Sequence, residues 1–153
     1  MYIRKMNDGE FPTVIKLISE TVHSVCVNDY TKKELNAWAP PRFDTSRFIR
    51  ALSPCYNLVA VIDNEIVGFI SVENDGFVNR LFTHKDFLRM GIATALLNEA
   101  ENWAKESGLK ELTLDSSKTA IDFYIKKGFH KCGISVVEKD GVVFRNTVMK
   151  KLL

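Results

Sequence analysis

With 153 residues, 46% of them hydrophobic and 26% charged, the chain has the size and composition of one ordinary globular domain able to bury a real core. A formal net charge of only +2, with the basic residues scattered, argues against an electrostatic platform for nucleic acid or for a membrane surface. Cys26, Cys55 and Cys132 are too few and too irregularly spaced for a disulfide framework or a zinc site, and no apolar run approaches membrane-spanning length. Nothing like a signal-peptide core follows Met1-Tyr2-Ile3-Arg4-Lys5, so the expected setting is the cytoplasm.

Tyr2 to Met6 reads as a short first strand, broken by Asn7-Asp8-Gly9. Pro12 then sits where a first helical turn tolerates proline, and Val14, Leu17, Ile18, Thr21, Val22 and Val25 follow at helical steps. Lys32 to Trp38 is a second, shorter helix ended by Pro40-Pro41, and Asp44-Thr45-Ser46 offers capping side chains for a third through Leu52. From Tyr56 the texture changes. Tyr56 to Ile62 is almost wholly apolar, Asp63-Asn64 turns into Ile66 to Glu73, and Asp75-Gly76 turns into a strand carrying Phe77, Val78, Leu81 and Phe82. Three strands joined by tight turns are antiparallel neighbours.

The charged turn Thr83-His84-Lys85-Asp86 leads to Leu88-Arg89-Met90-Gly91-Ile92-Ala93-Thr94, which opens a long helix with Ile92, Leu96 and Trp103 on one face. A small-residue turn at a helix start exposes orphan N–H groups and the positive end of the helix dipole, a natural seat for a phosphate ester. By itself the stretch fits equally well a plain strand-to-helix connection whose glycine relieves crowding. Ser107-Gly108 stops the helix, and Glu111 to Asp115 is another strand. Ser117 can cap a helix of Thr119 to Lys127, closed by Gly128, and the tail is a hairpin of Phe129 to Glu138 and Val142 to Met149 around Asp140-Gly141. The pattern predicts a single α/β domain over 1–153, with a mixed, mostly antiparallel central sheet flanked by helices.

Chemistry is narrowed first by exclusion. His23, His84 and His130 are far apart and no H-x-x-x-H or C-x-x-C spacing occurs, so no metal is expected. There is no G-x-S-x-G elbow, no P-loop and no G-x-G-x-x-G. What remains is the Gly91 turn and the block Ala120-Ile121-Asp122-Phe123-Tyr124-Ile125-Lys126-Lys127-Gly128-Phe129.

That block, A-x-x-F-Y-x-x-x-G-F, downstream of a glycine-centred strand-to-helix turn, resembles the GNAT (GCN5-related N-acetyltransferase) superfamily over most of the chain. Leu88 to Ala93 occupies the place of the family's [QR]-x-x-G-x-[GA] loop; Gly91 and Ala93 match, while Leu88 departs from the expected Gln or Arg. The resemblance implies an acetyl-CoA-dependent N-acetyltransferase that binds acetyl-CoA as co-substrate between two splayed strands, with no metal. It implies that Phe82 and Thr83 offer backbone groups to the pantetheine arm. Leu88, Arg89, Met90, Gly91, Ile92, Ala93 and Thr94 hold the pyrophosphate, and Ser117 touches the adenosyl end. Tyr124 is the implied proton donor to the departing thiolate; the plain alternative is a core aromatic beside Phe123.

The base is harder to place. Phe77, Asn79 and Leu81 share a face by period-two alternation and none is acidic, so Glu73, at the end of the preceding strand, is the nominated carboxylate. The segment from Asn28-Asp29-Tyr30-Thr31 to Ala37-Trp38-Ala39-Pro40 resembles a small bacterial GNAT subgroup with D-Y-[ST] … A-W-A-P. It implies an acceptor wall of His23, Tyr30 and Trp38, beside which an amine of a small molecule or peptide attacks acetyl-CoA directly in a ternary complex; the plain alternative is that Trp38 anchors its loop into the core. Cys132 has no base to activate it, which disfavours a covalent route. Family members are often homodimers. The rival reading is a non-catalytic CoA-binding or regulatory module that keeps the fold.

Overall fold

Arg4 of the first strand, β1 (Tyr2–Lys5), donates to both carboxylate oxygens of Glu10, which also accepts from the backbone N–H of Asn7; the chain therefore turns sharply into α1 (Phe11–Val25). The structure is a computed structural model describing residues 1–153. In α1 the helical repeat of Val14, Leu17, Ile18, Thr21 and Val22 is fully turned inward. The second helix, α2 (Lys32–Trp38), starts at a reciprocal cap: Thr31 Oγ1 accepts from the Glu34 N–H and the Glu34 carboxylate accepts from the Thr31 N–H. Asp44 caps α3 (Thr45–Leu52) through the Arg47 N–H.

Strands β2 (Tyr56–Ile62), β3 (Glu65–Val72) and β4 (Val78–Thr83) form antiparallel pairs, and β1 adds to β2, giving the order β1-β2-β3-β4. Asp63 and Asn64 both take positive φ, as a two-residue hairpin requires. After α4 (Ile92–Glu106) come β5 (Glu111–Ser116), α5 (Ile121–Lys126), β6 (His130–Lys139) and β7 (Val142–Leu152). These last strands make a second antiparallel sheet ordered β5-β7-β6, with the final strand inserted in the middle.

The two sheets touch at one point, a parallel bridge between Phe77 and Thr113 supported by the Thr113 N–H on the Gly76 carbonyl at 3.1 Å. Gly76 makes that junction: its φ is +94°, and a Cβ there would stand 2.7 Å from the Glu111 carbonyl oxygen. Beyond it β4 and β5 share no pairing, and a cleft opens between them. One apolar cluster packs α1, α2 and α3 on one face of the first sheet, and another packs α4 on the other face and over β5 and β7. Gly68 on β3 lets α4 lie close, since a Cβ would fall 2.6 Å from Ile92 and 2.9 Å from Leu96. Ile92, Leu96 and Leu97 are fully buried there, each worth about 1.5–3 kcal/mol.

Three local expectations change. Trp103 is only half-buried and stacks on Tyr56 at 4.4 Å, while Ala100 and Ala104 continue the inward face of α4. The Tyr124 helix begins at Ile121 rather than Thr119. Ser117 does not cap it with its side chain; its carbonyl accepts from the Ala120 N–H instead. The period-two alternation of β4 is broken by a bulge: Ser71 pairs with Arg80 and Val72 with Val78, so Asn79 is an extra residue. Val78 and Leu81 consequently join the α4 side, whereas Arg80 and Phe82 turn to the α1–α3 side.

Candidate active site

The cleft has a volume of about 500 Å³ and is walled by β4 and β5, by α5, and by the α1–α2 connection and the β6–β7 arm. Leu88 and Ala93 stand at the α4 end of it. Gly91 is the N-cap of α4 with φ +78°, no side chain caps the helix, and the first intrahelical bond runs from the Ala95 N–H to the Gly91 carbonyl. The N–H groups of Ile92, Ala93 and Thr94 are thus left without helical partners at the positive end of a 15-residue helix. Arg89 also takes positive φ, and Leu88, Arg89, Met90 and Gly91 are all exposed. Ile92 faces inward: its side chain packs over Gly68, and only its backbone belongs to the cap.

Deep in the cleft, Tyr124 is buried between Phe123 and Phe129, with ring centroids at 5.3 and 5.4 Å. Burial alone pushes its phenol pKa far up; no charge and no hydrogen bond offsets that effect. The hydroxyl is therefore a neutral proton donor over the whole physiological range. Phe82, Thr83 and Ser117 also line the cleft. The Thr83 carbonyl already accepts from the Thr21 hydroxyl at 2.8 Å, which fixes the open edge of β4 to α1.

On the α1–α2 side Tyr30 and Trp38 line the cleft edge to face, 5.3 Å apart, and Trp38 packs on Phe82 at 6.2 Å. The Tyr30 hydroxyl accepts from the Lys118 N–H, and Asp29 accepts from the Thr119 hydroxyl, each at 2.8 Å. Burial raises the Tyr30 pKa, keeping this acceptor a neutral phenol. His23 does not line the cleft. Its Nε2 lies 2.7 Å from the Ala39 carbonyl, so the ring fastens the end of α2 to α1. Glu73 is also outside the lining, at the turn where its backbone exchanges bonds with Phe77 and Gly76.

The structure adds residues that the sequence reading passed over. Arg80, turned inward by the bulge, and Lys139, on the last residue of β6, both line the cleft, with Asn79, Phe144 and Asn146 nearby. Asp115 is the acidic residue of the lining, exposed and standing on the face of β5 opposite to buried Leu114 and Ser116. A lone arginine in an apolar strand was the available signal for Arg80; Lys139 gave none, since hairpin ends are ordinarily charged. Together these groups offer a helix N-terminus for an anion, a neutral phenol to protonate a leaving group, and a second polar end holding cations.

Comparison with known proteins gives the arrangement a family. A sequence profile described as an acetyltransferase (GNAT) domain matches residues 26–153. The uncharacterized N-acetyltransferase YafP of Escherichia coli K12 is 32% identical over 148 residues, covering 97% of this chain and 93% of that protein. A GCN5-related N-acetyltransferase from Rhodopseudomonas palustris superposes with a TM-score of 0.95 at 26% identity, over 99% of this chain and 95% of that one. The PaiA N-acetyltransferase of Thermoplasma acidophilum, solved with coenzyme A, shares the fold at 23% identity and a TM-score of 0.77, over 99% and 98% of the two chains. With its split sheet, its bare α4 N-terminus and its buried tyrosine, the chain belongs to the GNAT acetyltransferase family.

Proposed function

We propose that the protein transfers the acetyl group of acetyl-CoA to an amine by direct attack within a ternary complex. The observation that carries this reading is the uncapped N-terminus of α4, opening onto a cleft whose interior holds the neutral phenol of Tyr124. A fold neighbour solved with coenzyme A supports the same co-substrate. The orphan N–H groups of Ile92, Ala93 and Thr94 hold the pyrophosphate, with Leu88 to Gly91 closing around it and Ser117 at the adenosyl end. The pantetheine arm runs along Phe82 and Thr83.

In the transfer step the amine lone pair attacks the thioester carbonyl carbon, and the C–S bond breaks as the tetrahedral adduct collapses. The sulfur takes its proton from Tyr124, which recovers it from solvent. The proton released by the amine leaves through water. Asp115, which lines the cleft, is better placed to receive it than Glu73, which does not. Tyr30 and Trp38 wall the acceptor; His23 supports that wall through Ala39. All three cysteines are free thiols, in keeping with a reducing cytoplasm. A homodimer fits the exposed Ile134, Val136 and Val143, which share the outer face of the β6–β7 arm.

Gly91→Glu tests the reading. No atom lies within 4 Å of where its Cβ would go, so the side chain finds room; its φ of +78° makes the change strain the backbone, and the new carboxylate stands at the anion seat. Acetyl-CoA affinity measured by calorimetry on the folded variant is expected to vanish. Unchanged affinity would remove the pyrophosphate assignment, and acetyl-CoA binding without CoA release on any amine would point to a binding module.

A further inference from the structure

Resting on the acetyl-transfer reading above, we infer that the acceptor is an amine bearing an anionic group of its own, which Arg80 and Lys139 hold across the cleft from the co-substrate.

The bulge at Asn79 sends Arg80 to the α1–α3 side of β4 and into the cleft. There its guanidinium donates to the Asn79 backbone carbonyl at 2.8 Å and to the Asn79 side chain, and it lies 5.8 Å from the centre of the Phe48 ring. Both hydrogen bonds come from one nitrogen, so the other guanidinium nitrogens keep donors to spare. Lys139 reaches the same cavity from the β6–β7 arm. Its ammonium donates to the Trp38 carbonyl at 3.0 Å and sits over Phe43.

Neither cation forms a salt bridge. Glu73 and Asp140 act on them only from beyond ion-pair distance, and Arg47 adds a third positive charge to the neighbourhood of Lys139. Burial lowers the pKa of both groups, and for Lys139 the charge of Arg80 lowers it further. Two like charges facing one cavity, with Arg80 partly buried and Lys139 at the exposed rim, cost free energy that a bound anion recovers.

That anion is not the co-substrate's pyrophosphate. Arg80 stands at the bulge near the start of β4, whereas the Gly91 loop follows the far end of the strand. Around the cations the wall is aromatic, with Trp38, Phe82 and Phe144. Asp115 is the carboxylate of the lining, and it suits the amine end of the same acceptor. Two cations and a carboxylate lining one aromatic cleft suit an amine that also carries a carboxylate or phosphate. They repel a polyamine.

The test is CoA release by the full chain on matched amines: L-phenylalanine against phenethylamine, L-leucine against isopentylamine, phosphoethanolamine against ethanolamine, and spermidine. The anionic member of at least one pair is expected to lead in kcat/KM by about tenfold or more. The phosphate pair separates a phosphate from a carboxylate preference. Lys139→Met, at an exposed hairpin end, and Arg80→Met should each bring the leading pair towards parity while acetyl-CoA affinity by calorimetry stays at the parent value. Equal or better turnover of the amines lacking the anion, a preference unmoved in both variants, or no turnover of any anionic amine overturns the inference. Acetylation of spermidine alone would sink it and leave the acetyl-transfer reading standing. Absence of acetyl-CoA binding together with no CoA release on any amine would remove that reading itself.

Discussion

The hydroxyl of Tyr30 accepts the backbone N–H of Lys118 at 2.8 Å, tying the Tyr30–Trp38 wall of the cleft to the turn that delivers the Tyr124 helix. The Lys118 ammonium lies 5.1 Å over the same ring, and Asp29 next door holds the Thr119 hydroxyl. Two segments some 90 residues apart are thereby joined at the floor of the cleft. Tyr30→Phe keeps the ring packing and deletes the acceptor. Denaturant unfolding should show a loss of about 0.5–1.5 kcal/mol. Turnover should fall as well, because the β5–α5 turn that positions Tyr124 is loosened. A variant as stable and active as the parent would show that the tether does nothing.

Gly68 is where α4 gains its closeness to the sheet. A methyl group there would meet the Ile92 and Leu96 side chains at 2.6 and 2.9 Å, distances that these side chains or the helix carrying them must relieve by shifting. Gly68→Ala should cost about 1–3 kcal/mol in denaturant unfolding. Since Ile92 is the first residue of α4, the displacement should also weaken acetyl-CoA binding measured by calorimetry. Ile92→Ala removes the nearer of the two obstructions and leaves Leu96, so the double variant should be less damaged than the sum of the two single ones. Strict additivity would break the link between packing and binding.

Tyr124→Phe separates chemistry from structure. The phenol carries no hydrogen bond and lies among apolar rings, so its loss should leave folding stability and acetyl-CoA affinity unchanged. Turnover on an accepted amine should drop by about 10²-fold or more. The pH dependence has a definite sign. The native pKa lies above the ordinary value of 10.0, so the folded chain holds the phenolic proton more tightly than the unfolded chain does. Below about pH 10 this titration leaves folding stability untouched, and stability falls as the pH rises beyond that because the unfolded chain ionises first. The rate profile should therefore show no loss from Tyr124 ionisation up to about pH 10. A variant with full turnover would end the assignment.

The legible parts of the molecule are those encoded over short distances. Helical repeats in α1 and α2, the Thr31–Glu34 cap, and the Asp63-Asn64 and Asp140-Gly141 turns all follow from neighbours within a few residues. Insertion of β7 between β5 and β6 does not, because pairing order depends on partners far apart in the chain. The bulge at Asn79 was equally hidden, and it reversed the face reading of β4 from that point on. One extra residue brought Arg80 to the cleft, and no periodicity in the strand announces it. For the same reason Glu73 looked like the near carboxylate in sequence, while Asp115 reaches the cleft from a strand 40 residues later.

Because the sheets meet only at Phe77 and Thr113, β4 ends one sheet and β5 ends the other, and their free edges face each other across the cleft. An unpaired strand edge ordinarily invites the strand of another molecule. Here each edge faces its counterpart across a wedge that is shut at one end. The edges turned outward are β1, just four residues long, and β6, which carries Lys131, Glu138 and Lys139. The split between the sheets thus keeps both inner edges from pairing with another copy of the chain.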